Sequence, residues 1–348
     1  MVNVLPERQV VEIRAAAPLF LLSYIYPRFP YINVEYVPLR RIMLALTGCT
    51  GKIGGAVLQA ILQHALIPPQ KLVVCTSSSP TDARWNSLRA QGITIRQSNY
   101  EDPDSMLVAF TGCTKLFLVS TPRIELDFHN AQVGRERHHM NAIQAARRAG
   151  VEHIYYTSLA FGSESLASVM LAHLRTEAFL KRLTDVKITI IREGIYNESW
   201  PLYFGYYNID NDVRTYIVIA GDGLISWTAI ADLGLATALV IADPSTTYTG
   251  RTLYLSGSRA QSLRDIATII SKIKKGDIRV KTVSRDEYVE FYTTMGRDRG
   301  SVEWWSTTYV ALEENECNIS DTTLQDLLLS KGVKQKPIEE TIKEMLGA

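Results

Sequence analysis

The chain has 348 residues and a formal net charge of +1 at pH 7; 46% of its residues are hydrophobic and 21% are charged. This length is ample for a buried core, and the near-neutral charge argues against a broad nucleic-acid interface, which needs a strong basic excess. The cysteines Cys49, Cys75, Cys113 and Cys317 have neither metal-site nor disulfide-framework spacing. We therefore predict a cytoplasmic protein whose partners are small molecules.

The first 41 residues differ in pattern from the rest of the chain. Their apolar run at 15–26 is interrupted by Pro18 and is too short to span a bilayer. Met43 stands where the first strand of the following pattern begins. We therefore predict residues 1–41 to be an N-terminal extension of unassigned role, and we expect no stable membrane insertion.

A glycine-rich stretch follows the first predicted strand, residues 42–46. The order of strand, tight turn and helix is typical of the first unit of a dinucleotide-binding fold. In this interpretation Gly48 makes the turn, Gly51 lets the backbone approach a pyrophosphate, and Gly54 lets the helix pack closely. The N–H groups at the start of the helix would then face the phosphates.

The end of the second predicted strand, residues 72–76, bears on the choice of cofactor. NAD enzymes place an acidic residue near this position to bind the ribose 2′-hydroxyl. Here residues 76–80 are hydroxyl-bearing residues and a proline, and the first acid is Asp82. Hydroxyl groups without a carboxylate leave room for a 2′-phosphate, so we predict NADPH (NADP+) in preference to NADH. A turn with no ligand role is the alternative.

Strands three to six are predicted from further apolar runs, each separated from the next by a helical pattern. The strands are 92–96, 116–119, 151–157 and 188–192, and the helices between them include 128–149 and 171–183. This alternation predicts an α/β fold, a Rossmann-type doubly wound parallel sheet. We assign residues 42–256 to this NAD(P)-binding domain.

The C-terminal part is predicted to be mostly helical, with a strand-like run at 252–255 that returns to the sheet. The predicted helices are 230–241, 262–273, 285–294 and 337–346. Such a part often covers the pocket at the carboxyl ends of the strands, so we predict a substrate-capping portion at 257–348 and a contribution from 200–227. The aromatic residues predicted to surround a planar or conjugated substrate, unless they are simply core, are Trp200, Tyr203, Phe204, Trp227, Trp304 and Trp305.

Three histidines in the predicted helix at 128–149 raise the question of a metal site. They are His129, His138 and His139. Adjacent residues diverge on a helix, and no acidic partner is evident. We therefore predict no metal.

Four segments together make the chain similar to the NmrA-like atypical short-chain dehydrogenase/reductase family, with its quinone oxidoreductases as the nearest type. They are TGCTGKIG at 47–54, GITIRQ at 92–97, YTSL at 156–159 and AGDG at 220–223. The resemblance runs from Met43 to the C-terminus. It places at the cofactor Gly48, Cys49, Thr50, Gly51, Lys52, Ile53, Gly54, Ser77, Ser78, Ser120, Thr121, Pro122, Glu193, Gly194, Ile195 and Tyr196.

The catalytic prediction follows from the need for a group that polarises or protonates the substrate oxygen during hydride transfer. Ordinary short-chain dehydrogenases use a Tyr with a Lys four residues on, and here the matching helix contains His173 and Glu177. These two lie on one helical face, where the carboxylate would orient an imidazole able to donate a proton near neutral pH. Ser158 and Tyr196 follow the fifth and sixth strands. We predict His173, Tyr196 and Ser158 as catalytic; the alternative for the histidine pair is a solvent-facing position.

The sequence therefore predicts an NADPH-dependent oxidoreductase that reduces a quinone, an enone or a related conjugated carbonyl compound. Two other functions stay open: an NADP(H)-binding, redox-sensing regulator without turnover, and a non-redox biosynthetic enzyme on the same fold. The predicted partner is a small, planar or conjugated substrate. No nucleic acid is expected, and a homodimer is left open.

Overall fold

The computed structural model describes residues 43–128 and 133–348. The predicted N-terminal extension at 1–41 and His129 lie outside the described residues. The strands of the described part are β1 (Leu44–Leu46), β2 (Leu72–Thr76), β3 (Thr94–Gln97), β4 (Lys115–Leu118), β5 (His153–Leu159), β6 (Lys187–Glu193), β7 (Tyr216–Ile219), β8 (Ile225–Ser226), β9 (Thr252–Leu255), β10 (Ala260–Gln261) and β11 (Arg279–Thr282).

Helices alternate with these strands and then dominate the C-terminal part. They are α1 (Lys52–Gln63), α2 (Asn86–Ala90), α3 (Pro103–Phe110), α4 (Glu136–Arg148), α5 (Ser168–Leu180), α6 (Trp200–Tyr203), α7 (Ile230–Ala242), α8 (Leu263–Lys274), α9 (Arg285–Thr294), α10 (Arg299–Glu313), α11 (Thr323–Leu329) and α12 (Ile338–Met345). Among the helices of the described residues, none is long and apolar enough to cross a membrane.

Seven strands form one sheet in the order β3-β2-β1-β4-β5-β6-β9. Every pairing in this sheet is parallel. The chain runs outward from β1 to β3 and then returns to β4 beside β1, which creates a switch point where ligands bind in such sheets. The predicted doubly wound α/β sheet is confirmed, and β9 is its seventh strand.

The strands at the centre of the sheet are largely buried because helices cover both faces of the sheet. Helices α1 and α7 cover one face and α3, α4 and α5 cover the other. Helices α1 and α7 approach each other closely at Gly234, since a Cβ there would lie 2.6 Å from the Cβ of Ala56. Strands β1 and β2 are correspondingly buried at every residue.

The predicted crossover helix at 128–149 is too long at its N-terminal end, because α4 begins only at Glu136. Ahead of it, Ile124–Asp127 forms a 3₁₀ turn. The Asp127 carboxylate accepts a hydrogen bond from the Arg135 backbone N–H at 2.8 Å. Residues 124–127 therefore form a short turn that is separate from the helix predicted by hydrophobic periodicity.

Helix α10 was not predicted at all. Its buried residues include Val302, Trp304, Ser306 and Thr308, which lie around more than one side of the helix. Because polar and apolar residues are buried together, the sequence carries no clear apolar stripe. This helix joins the cluster formed by residues 200–227 and the later helices.

A buried ion pair ties α5 to β6. Arg192 Nε and Nη2 donate to the two carboxylate oxygens of Glu177 at 2.9 and 2.8 Å, and both side chains are 2% exposed. Ser158 Oγ on β5 donates to the same carboxylate at 2.7 Å. Arg192 also donates to the Phe161 carbonyl oxygen and to the Tyr254 hydroxyl on β9. One charged pair thus links three strands and a helix.

Glu177→Ala is expected to lower the free energy of unfolding by about 3–5 kcal/mol, because it leaves the buried Arg192 guanidinium without its counter-ion. Lys181→Ala is the matched control: its ammonium contacts the same carboxylate but its side chain is 56% exposed, so the cost should stay below about 1 kcal/mol. Urea unfolding of both variants measures the difference. Equal losses would show that the buried pair is dispensable.

A second buried acid, Glu193, ends strand β6 against α7. Its Oε1 accepts a hydrogen bond from Thr237 Oγ1 at 2.9 Å, while Oε2 has no hydrogen-bond partner. Burial raises its pKa from 4.5 to about 8. The native state therefore keeps a proton on Glu193 at neutral pH, whereas the unfolded chain releases it.

The free energy of unfolding should consequently fall as the pH rises from about 4.5 to about 8, by at most about 1.4 kcal/mol per pH unit from this group. Glu193→Gln is expected to flatten this slope, because the amide does not titrate. Glu164→Gln, at an exposed position, should keep the wild-type slope. Urea unfolding across this pH range tests the prediction, and a slope that Glu193→Gln leaves unchanged would contradict it.

Candidate functional site

A cavity of about 560 Å³, here called the sheet-end cavity, lies at the carboxyl ends of β1 to β4. Its wall includes the glycine turn, the end of β2, the turn after β3, the loop after β4, and residues of α4 and α5. The predicted site residues that line it are Gly48, Thr50, Gly51, Lys52, Ile53, Gly54, Ser77, Ser120, Thr121, Pro122, His173 and Tyr196. The structure therefore brings most of the predicted cofactor residues together in one place.

The glycine turn depends on two positions that exclude a side chain. Gly48 has a φ of +67°, and a Cβ there would lie 2.8 Å from the Val119 Cβ. A Cβ on Gly54 would lie 2.3 Å from the Gly48 carbonyl oxygen, so α1 packs directly on the turn. Helix α1 begins at Lys52 without a side-chain cap or an acid in its first turn, which leaves its N-terminal N–H groups for a negatively charged ligand.

The end of β2 contributes no carboxylate to the sheet-end cavity. Cys75, Thr76 and Ser77 line it there. Ser78 does not, because its hydroxyl forms a hydrogen bond with Thr76 Oγ1 at 2.9 Å within the turn. Lys52 lines the same cavity, is exposed, and forms no ion pair with any described residue.

Two adjacent histidines of α4 hold the loop after β4. The Thr121 backbone N–H donates to His139 Nε2 at 3.1 Å, and the Thr121 hydroxyl lies 3.3 Å from His138 Nδ1. Ser120 N–H donates to Thr157 Oγ1 at 2.9 Å. Within residues 43–128 and 133–348, no three His, Cys, Asp or Glu side chains are placed to hold a metal ion. Both histidines are thus engaged in positioning this loop.

His173 lies on α5 with 1% of its surface exposed, and it lines the sheet-end cavity. Its Nδ1 is 3.0 Å from the Tyr156 hydroxyl. Burial lowers its pKa well below 6.5, and the nearby Arg135 guanidinium lowers the pKa further. The expectation of an imidazole titrating near neutral pH is wrong for this reason: His173 is neutral and can offer a hydrogen bond, not an imidazolium proton.

The predicted pairing of His173 with Glu177 is also wrong, because the Glu177 carboxylate is taken up by Arg192 and Ser158. Ser158 is 1% exposed and does not line the sheet-end cavity. Its hydroxyl is a structural donor to Glu177, so the structure does not place it at a substrate. His173 and Glu177 do lie one turn apart on α5, but their partners differ: Tyr156 on β5 contacts His173, and Arg192 on β6 contacts Glu177.

Tyr196 follows β6 and lines two cavities at once. Its hydroxyl forms no hydrogen bond with any described residue. The second cavity, here called the aromatic cavity, has a volume of about 240 Å³. Its lining residues are Ile124, Leu159, Val169, Gly194, Ile195, Tyr196, Ser199, Leu202, Tyr203, Tyr206, Ser301, Trp304 and Trp305.

The remaining predicted cofactor residues lie away from the sheet-end cavity. Glu193 is buried against α7, and Gly194 and Ile195 line only the aromatic cavity. Cys49 is half-buried, with its thiol facing the Leu46 carbonyl oxygen at 3.7 Å.

Half of the predicted aromatic wall is correct. Tyr203, Trp304 and Trp305 line the aromatic cavity, together with Tyr206, which was not predicted. In contrast, Trp200, Phe204 and Trp227 are at most 2% exposed and belong to the core beneath it. Composition alone does not distinguish an aromatic residue that faces a cavity from one that fills the core behind it.

Sequence reasoning missed Arg135, which lines the sheet-end cavity although it is 2% exposed. Its Nη2 donates to the Val169 carbonyl oxygen at 2.9 Å, and its Nη1 lies 3.4 Å from Asp127. A lone arginine within a predicted helix gives no signal of such burial. The structure thus adds a buried cation near His173.

Comparison of the sequence with known proteins identifies the family. The NmrA-like family model matches residues 41–299. An NmrA-like family domain-containing oxidoreductase of Aspergillus flavus is 28% identical, over 86% of this chain and 94% of the relative. Quinone oxidoreductase 2 of Escherichia coli is 29% identical, over 82% of this chain and 93% of the relative.

A solved structure agrees with these sequence matches. The NADPH-dependent quinone oxidoreductase of Escherichia coli, complexed with NADPH, is similar with a TM-score of 0.73 and 26% identity, covering 87% of this chain and 99% of that one. The sheet order, the glycine turn and the family match over more than half of the sequence point the same way. The chain belongs to the NmrA-like family.

Proposed function

We propose that this chain is an NADPH-dependent oxidoreductase that reduces a quinone, an enone or a related conjugated carbonyl compound. The observation that carries the proposal is the junction of the two cavities at Tyr196. A dinucleotide in the sheet-end cavity and a planar substrate in the aromatic cavity would meet at this residue. The names of the two curated relatives, an oxidoreductase and a quinone oxidoreductase, support the same chemistry.

The sheet-end cavity fits a dinucleotide in size and in chemistry. Its volume of about 560 Å³ is within the range of cofactor sites. The Gly48 turn and the uncapped start of α1 would hold the pyrophosphate. Lys52, Thr76 and Ser77 line this cavity and would be available to bind a 2′-phosphate, and the absence of a carboxylate from the end of β2 favours NADPH.

When bound, NADPH supplies a hydride to the substrate, and one proton completes the reduction of the carbonyl group. The Tyr196 hydroxyl would donate a hydrogen bond to the carbonyl oxygen, since no described residue occupies it. A neutral His173 adds a second donor at the same end. The apolar walls at Leu159 and Val169, which the cavities share, would exclude water and strengthen both hydrogen bonds.

Binding of NADPH, followed by its fluorescence, is expected for the purified chain, together with loss of the reduced-nicotinamide absorbance on addition of 1,4-naphthoquinone. Gly54→Ala should weaken NADPH binding at least about tenfold, because the new Cβ displaces the Gly48 carbonyl that shapes the phosphate turn. Gly55→Ala is the matched control, since its Cβ would lie 3.3 Å from the nearest atom.

Circular dichroism of both glycine variants separates a lost site from a lost fold. A wild-type chain that does not bind NADPH would exclude this proposal. Binding without turnover over a panel of quinones and enones would instead favour the redox-sensing regulator.

Tyr196→Phe is expected to lower kcat for 1,4-naphthoquinone about a hundredfold, while the Kd for NADPH stays unchanged. The reason is that only the substrate oxygen would use this hydroxyl. Tyr206→Phe is the control: it lines the aromatic cavity but not the sheet-end cavity. Steady-state kinetics with NADPH and the quinone measures both variants. If Tyr206→Phe loses as much kcat as Tyr196→Phe, the hydroxyl at the junction has no special role.

A further inference from the structure

A chain of buried hydrogen bonds runs from the loop after β4 to His173. Its members are Thr121, His139, Thr176, Tyr156 and His173, and each of the contacts is 3.2 Å or shorter. The two histidines and Tyr156 are at most 1% exposed. With so little water available, each donor in this chain needs a protein acceptor, and that requirement fixes where the protons lie.

The direction of donation along this series of hydrogen bonds is set at Thr121. A backbone N–H can only donate, so His139 Nε2 accepts at 3.1 Å and carries no proton. The proton of the neutral His139 ring must then be on Nδ1. That Nδ1–H faces Thr176 Oγ1 at 2.8 Å. Thr176 uses its own proton to donate to the Ala172 carbonyl oxygen at 2.7 Å, so its oxygen is free to accept.

The same donor-to-acceptor direction continues from Tyr156 to His173. Its hydroxyl lies 3.2 Å from His139 Nδ1, which already holds a proton and cannot accept. It also lies 3.0 Å from His173 Nδ1. Of its two histidine neighbours, only His173 can therefore accept the tyrosine proton at Nδ1. The reverse arrangement would need a bare His139 Nδ1 and a proton on Nε2, which would face the Thr121 N–H donor.

We propose that Tyr156 and His139 are positioning residues that hold His173 in the tautomer with its proton on Nε2, and so present an N–H donor to the sheet-end cavity. His173 Nε2 forms no hydrogen bond with any described residue. His173 lies one helical turn beyond Val169, which lines both cavities. His173 thus lines the sheet-end cavity next to a residue of the wall that the two cavities share. Its catalytic use rests on the proposed function, whereas the tautomer does not.

Nitrogen-15 NMR of the uniformly labelled, full-length chain tests the tautomer without any assay of activity. His173→Asn identifies the His173 resonances by their loss. The expected result is a bare Nδ1 and a protonated Nε2 for His173, and the opposite for His139. A His173 protonated on Nδ1, or an imidazolium at neutral pH, would overturn the proposal.

Tyr156→Phe removes the donor to His173 Nδ1 and should give a mixture of the two His173 tautomers. Tyr155→Phe is the matched control, because Tyr155 is its neighbour on β5, is 2% exposed, and packs on the opposite face of the sheet. We expect kcat with 1,4-naphthoquinone to fall about tenfold in Tyr156→Phe only, with the KM for NADPH unchanged.

The NMR spectra test the His173 tautomer and the kinetics test the proposed reaction, so failure of one can be distinguished from failure of the other. A chain that shows the expected tautomers but no turnover keeps the inference and removes the proposed reaction. A Tyr156→Phe variant with the wild-type tautomer removes the inference and leaves the reaction in place. In a protein that does turn over, an equal kcat for Tyr156→Phe and Tyr155→Phe removes the positioning role of Tyr156.

Discussion

The ion pair between Glu177 and Arg192 is the constraint that joins α5 to the strands beside it. It crosses from α5 to β6, its carboxylate accepts a further hydrogen bond from Ser158 on β5, and its guanidinium donates to the Tyr254 hydroxyl on β9. A buried pair of this kind costs desolvation energy and is stable only when its remaining hydrogen bonds are satisfied. Glu177 is engaged by Arg192 and Ser158. The neighbouring His173 instead forms its hydrogen bond with Tyr156.

That second network joins α4 and α5 to the loop after β4. His138 and His139 hold Thr121, and the chain of hydrogen bonds continues to His173. The same residues that shape the wall of the sheet-end cavity therefore also set the protonation of the histidine inside it. One set of contacts thus fixes both the position of the loop after β4 and the tautomer of the His173 ring.

The sequence was sufficient for the sheet and the glycine turn because local chemistry determines both. A positive φ at Gly48 and a close contact at Gly54 require glycine, and buried parallel strands require continuous apolar runs. Contacts between distant elements carry no such local signal. Spacing showed that His173 and Glu177 share a helix face, but not that Tyr156 faces one and Arg192 the other. Helix α10 was hidden for a related reason, since burial on several sides leaves no stripe.

The walls of the two cavities come from separate parts of the chain, and only Ile124, Leu159, Val169 and Tyr196 belong to both. The loops of the sheet form one wall, while α6 and α10 contribute much of the other. Substitutions at positions such as Leu202 or Trp304 can therefore reshape the aromatic cavity without touching the glycine turn. This division makes the fold evolvable: the aromatic cavity can diversify while the sheet-end cavity is inherited intact.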